Sequence, residues 1–192
     1  MGQKKHKVIG KVKLKTLLQE KKGDILKRWI SLILATYPRD VSHFLKLEKD
    51  RFTNPVGYTI STSSEILLNE LLLGENSDKI ISALDSIIRI RTVQDFAPSQ
   101  AIAFIFLLKK AVREELKLRN EGFKTEDELK ILDELLLFET RIDGLATLAF
   151  DVYVKCRDDI DRIRMEEAKA EQVMADRLMR LRQSVKGKDS SM

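Results

Sequence analysis

The sequence predicts an all-α fold, and three observations carry that prediction. Glycine and proline together number eleven in 192 residues, too few for an all-β chain whose turns recur roughly every 8–12 residues. Apolar residues return at three- and four-residue spacing along most of the chain, and no stretch alternates convincingly with period two. Charged residues make up 34% of the sequence, a proportion suited to long solvated helix faces. One core plus an extension is the natural organisation at this length.

The helices follow in order. Residues 1–13 are lysine-rich and weakly patterned, and read as a basic arm. From Leu14, apolar residues at Leu17, Leu18, Ile25, Trp29, Ile33 and Leu34 keep helical spacing. Gly23-Asp24 either interrupts this helix or starts its second half, with Asp24 as a cap. Pro38 stops it, because it pushes Tyr37 away from helical backbone. One or two turns fit Val41–Leu47. Pro55 opens the next helix, which ends at Gly74. Ser77 is an N-cap candidate for a helix over 77–91 carrying Ile80, Ile81, Leu84, Ile87 and Ile88. A corner over Asp95–Ala97 leads to Pro98, which opens a helix closed by Gly122. Its apolar residues include Ile102, Phe104, Ile105, Leu108 and Val112. Phe104, Phe106 and Phe138 read as core.

The last helix is the unusual one. Thr125 and Glu128 form a capping box, and the pattern runs from Glu126 to about Arg182 without proline. Gly144, its one glycine, reads as a close packing point rather than a hinge. Leu129 to Val154 is rich in apolar residues. Beyond Cys156 they thin to a stripe of Ile160, Ile163, Ala170, Met174, Leu178 and Leu181, roughly heptad-spaced, with Glu167 weakening the seam. The division expected is a basic arm over 1–13, a helical domain over 14–155, an extended helix (a possible coiled coil) over 156–182, and a disordered tail over 183–192.

Composition excludes more than it assigns. Cys156 is the only cysteine, so neither an intrachain disulfide nor a cysteine-based zinc site can form. No apolar signal segment follows the N-terminal lysines, and no apolar run is long enough for a membrane span. The location expected is cytoplasmic. The net charge of +5 is uneven. Residues 1–28 hold ten Lys/Arg and two Asp/Glu, which leaves the remainder slightly acidic. The arm has no arginine or aromatic residue, so base recognition and stacking are not favoured. A solvated arm, weak nucleic-acid contact and contact with a membrane or acidic partner stay open, the first favoured.

No catalytic constellation emerges. Asp40-Val-Ser-His43 imitates half of a helical di-metal motif, but lacks the second copy such a site needs. Neither His6 nor His43 sits in a nucleophile motif, and no phosphate loop or dinucleotide fingerprint occurs. Asp158, Asp159 and Asp161 alternate with Arg157, Arg162 and Arg164, as in exposed helix pairing. The expectation is a non-enzymatic protein with no metal and no cofactor.

The most distinctive stretch is Ile88 to Lys109, with Arg89, Arg91, Gln94, Asp95, Phe96, Pro98, Ser99 and Gln100. Together with Trp29 ahead of Tyr37-Pro38, the Arg51–Gly57 loop and Leu84-Asp85, it resembles the N-terminal domain of the RsbR-type (RsbRD) stressosome co-antagonists. The resemblance runs from about Leu17 to Val154. It implies a globin-like helical bundle without haem and a homodimer joined by the last helices; with the long C-terminal helix that the pattern itself gives, the fold expected is such a bundle with that helix extending from the core. Consistent with that, the 77–91 helix has no histidine to serve as proximal ligand.

Two groups of residues follow as candidates. Asn54, Pro55, Gly57, Arg89, Arg91, Gln94 and Asp95 are either structural corners, the favoured reading, or a ligand or partner surface. Ile160, Ile163, Ala170 and Met174 are candidates for a dimer and relay helix. Proteins of the RsbR type continue into a STAS domain with a phosphorylated threonine. No strand-rich segment for it follows the long helix in this sequence, so the expectation is that, if the chain is complete, the phospho-switch is not carried over. The function expected is a sensory or regulatory module relaying a signal through a dimeric helix, with a STAS protein or switch kinase as partner. The alternative is a stand-alone adaptor or accessory subunit of a metabolic assembly, such as an anaerobic respiratory one.

Overall fold

Eight helices account for the structure, a computed structural model that describes residues 14–48, 50–74, 76–116 and 126–189. They are α1 (Leu14–Glu20), α2 (Lys22–Leu34), α3 (Arg39–Leu47), α4 (Pro55–Leu73), α5 (Ser77–Val93), α6 (Pro98–Ala103), α7 (Phe106–Glu115) and α8 (Glu126–Asp189). Among the described residues there is no strand, and no helix is long and apolar enough to cross a membrane. The expected arm, the Gly122 stop and the Thr125–Glu128 capping box lie outside the described residues and side chains.

The chain divides into two compact units, Met1–Tyr153 and Val154–Met192. In the first, α4 packs on α5 and α2 on α7. Its core is aliphatic, with Ile25, Ile33, Ile60, Leu67, Leu84 and Ile87 fully buried around Trp29. Residues 126–153 of α8 bury Leu135, Phe138, Ile142, Leu145, Ala146 and Ala149, a stripe at helical spacing. Two ion pairs hold this stretch to α7. Glu139 accepts from Arg113 Nε and Nη2 at 2.7 Å each, and Asp143 pairs with Lys109 at 2.6 Å. Glu134 accepts the Leu14 N–H of α1 at 2.7 Å.

The second unit is the remainder of α8. Cys156 is buried and Ile160 half-buried, while Ile163, Met165, Val173, Met174, Leu178 and Met179 are all at least half exposed. The helix runs to Asp189, so residues 183–189 are helical where a tail was expected.

Several local expectations need correction. The first helix breaks at Lys21 rather than at Gly23-Asp24, and Asp24 lies inside the first turn of α2, paired with Lys21 at 3.5 Å. The cap of α5 is Asn76, whose side chain accepts from Lys79 N–H at 3.1 Å, one residue before Ser77. The helix opened by Pro98 is two helices. Trp29 Nε1–H donates to the Phe104 carbonyl at 2.7 Å, and Leu108 N–H turns to Ile105 instead, at 3.0 Å. A carbonyl claimed by a side chain is lost to the i→i+4 ladder, which explains the break. Phe106 is 44% exposed, with Lys109 over its ring, so of the three phenylalanines only Phe104 and Phe138 belong to the core. A Cβ on Gly144 would meet nothing within 4 Å, so that glycine makes no close packing point.

Candidate functional site: two buried corners and an adjoining cleft

The first corner is where α3 passes into α4. Asp50 closes the intervening turn by accepting the Thr53 N–H at 2.9 Å, the Thr53 hydroxyl at 3.1 Å and the Phe52 N–H at 2.9 Å, and these bonds hold its carboxyl below the ordinary range. Asn54 is only 2% exposed and uses its whole amide. Its Oδ1 accepts Gly57 N–H at 2.8 Å, capping α4, while Nδ2–H donates to the carbonyls of Leu45 at 3.1 Å and Glu48 at 2.7 Å. Pro55 follows at the first helical position, where its missing N–H has no role to lose. Gly57 lies so close beneath Asn54 that a Cβ there would fall 2.3 Å from Nδ2. Only glycine admits this cap.

The second corner joins α5 to α6. Arg89 and Arg91 part company. Arg89 is exposed, forming a two-bond pair with Asp85 one turn back, at 3.1 and 3.3 Å. Arg91 turns inward and is 1% exposed. Its Nη1–H donates to the Gln100 carbonyl at 2.9 Å and its Nη2–H to Thr36 Oγ1 at 3.1 Å. Three rings surround the guanidinium, with centroids 5.5 Å (Tyr37), 5.0 Å (Phe96) and 5.4 Å (Phe104) from Cζ. The negative faces of aromatic rings compensate a cation in this way. No described carboxylate pairs with it, and neither Arg91 Nε–H nor the Tyr37 hydroxyl has a hydrogen-bond partner. Burial lowers the Arg91 pKa and raises that of Tyr37, each offset partly by the other.

Gln94 and Asp95 are exposed and act through the backbone. Gln94 N–H closes the last turn of α5 onto Ile90, and Asp95 takes the left-handed conformation at φ 57° that reverses the chain. Gln100 adds a second bond, its side chain accepting Ala97 N–H at 3.1 Å. The sequence reading missed Thr36, Tyr37 and Phe96 as Arg91's partners; the available signal was that Tyr37-Pro38 belongs to the same resemblance as the Arg89–Gln100 stretch.

Beside the Asn54 corner, α2, α3 and α4 enclose a cleft of about 400 Å³. Its apolar wall is Ile30, Leu34 and Leu45; Lys27 and Lys46 stand on it, and Gly57 and Tyr58 contribute from α4. Sequence reasoning did not find it, because its residues are drawn from three separated segments.

Among the described residues no group of three or more His, Cys, Asp or Glu is placed to hold a metal, and His43 is exposed. Among the described residues the site therefore consists of two buried polar corners and an apolar cleft on an all-helical body. The chain belongs to the family of the RsbT co-antagonist protein rsbRD N-terminal domain, whose model matches residues 23–168. It is similar to an uncharacterized protein of Archaeoglobus fulgidus, 26% identical over 157 residues that cover 81% of this chain and 89% of the relative. No solved structure matches.

Proposed function

We propose that this protein is a non-enzymatic sensory or regulatory module that binds a signal or partner and relays it through a dimeric C-terminal helix. One observation carries the reading: α8 is a single 64-residue helix that contributes to both units. Its first part is fixed by buried apolar residues and the Arg113–Glu139 pair. Its last part exposes Ile163 (50%) and Met174 (68%) on the row that Ile160 and Ala170 continue. Exposed apolar residues at this spacing suit a second copy of the same helix. A ligand would act by favouring one of two packings of that seam, which requires unequal affinity for them. Membership of a co-antagonist family supports a stressosome-type role, with a STAS protein or switch kinase as the receiver.

The test is the oligomeric state by light scattering. The native chain is expected to be a dimer, and Ile160→Asp/Ile163→Asp to shift it toward monomer by at least about tenfold in Kd, since two charges enter an apolar seam. A variant as dimeric as the native chain refutes this seam.

A specific observation also favours the adaptor reading. The Archaeoglobus relative is matched over 89% of its own length, so the matched region makes up most of that protein. A stand-alone adaptor would hold its partners constitutively, with no dependence on the packing of α8.

A further inference from the structure

We infer that the cleft between α2, α3 and α4 binds a soluble amphipathic monoanion, a carboxylate on an unbranched alkyl body. Its volume of about 400 Å³ falls within the range of small-ligand sites, roughly 300–1,000 Å³. The wall that would take the alkyl body is Ile30, Leu34 and Leu45, the last two already over nine-tenths buried.

The charge around it is lopsided. Lys27 and Lys46 line the cleft from α2 and α3, and neither makes an ion pair among the described residues. Arg51 stacks on Tyr58, its Cζ 5.4 Å from the ring centre, and brings a third cation to the rim. Against these stands one lining carboxylate, Glu48, whose Oε1 already accepts Asp50 N–H at 2.9 Å. Lysine stems lie along apolar surface while their ammonium groups seek an anion. Apolar walls with cations at the rim therefore match a ligand that is apolar along its length and anionic at one end. Polyphosphates fit less well: the N–H of Gly57, a lining residue at the start of α4, is already taken by Asn54.

The assignment deepens the sensory reading and rests on it only for the ligand's purpose. Calorimetric titration of the full chain with octanoate, below its micellar concentration and at fixed ionic strength, tests it. Saturable binding is expected, with octanol and octylammonium at least about tenfold weaker. Lys27→Gln/Lys46→Gln is expected to lose at least about tenfold in octanoate affinity while keeping the native unfolding midpoint and oligomeric state. Absence of saturable binding overturns the site, as does equal affinity for octanol or an unchanged double variant. Phosphatidylglycerol vesicles form the second arm. Sedimentation with vesicles that octanoate does not displace would assign the cations to a membrane surface and likewise overturn it. Because dimerisation is read separately on Ile160→Asp/Ile163→Asp, failure of the cleft and failure of the relay give different results.

Discussion

Asn54 and Arg91 are both buried polar side chains at helix junctions, and they solve burial in opposite ways. Asn54 satisfies its amide within nine residues of itself, closing a loop and capping a helix with the same group. Arg91 reaches fifty-five residues back to Thr36, relies on three rings for its charge and leaves Nε–H unpaired. The difference teaches that a local hydrogen-bonded corner can be complete in itself. A tertiary corner is only as good as the segments that happen to meet there.

The contrast breaks most sharply at Arg91. Arg91→Ala empties the space between Tyr37, Phe96 and Phe104 and is expected to cost about 3–5 kcal/mol in urea unfolding. Arg91→Met keeps the stem without the charge; it orphans no described carboxylate but takes the donor from the Gln100 carbonyl and Thr36 Oγ1, so its cost is expected to be smaller, about 1–2 kcal/mol. Equal losses would mean that the charge itself, rather than the packing, holds the corner.

Asn54→Ala removes the cap from Gly57 and the donor from two carbonyls, for an expected loss of about 2–3 kcal/mol. Asn54→Asp sharpens the point. It keeps the acceptor but presents oxygen to the Leu45 and Glu48 carbonyls, so it should be nearly as unstable as alanine when unfolding is followed by circular dichroism. A near-native Asn54→Asp would show that the cap alone matters.

The smallest effect belongs to Tyr37. The folded protein holds its phenol proton more tightly than the unfolded chain, because burial raises its pKa. That contribution is complete below about pH 10, the ordinary tyrosine value, and is lost as pH rises through the higher folded-state value. Tyr37→Phe is therefore expected to flatten the alkaline limb of the stability–pH curve. An unaltered limb would show that Tyr37 ionises as freely folded as unfolded.

The same contrast decides what was legible in the sequence. Asn54-Pro55-x-Gly57 announces its structure because a cap, a first-turn proline and the missing Cβ are near neighbours in the chain. The all-α class and the bounds of α4 were readable for the same local reasons. The break between α6 and α7 was not, since the bond that causes it comes from Trp29, seventy-five residues away. Arg91 follows Leu84, Ile87 and Ile88 at helical spacing, so the pattern itself marks it, rather than Arg89, as the inward arginine; its partners were not legible, because a helical pattern does not say which other segments its buried face will meet. The cleft was hidden for the opposite reason: Lys27, Ile30, Ser31 and Leu34 look like any amphipathic helix face until α3 and α4 stand opposite them.

Trp29 has an optical consequence as well. It is the chain's single tryptophan, wholly buried and fixed by one bond to the Phe104 carbonyl. All of the protein's indole emission therefore arises where α2 meets the break between α6 and α7, so a spectral shift reports events at that one place without any introduced dye.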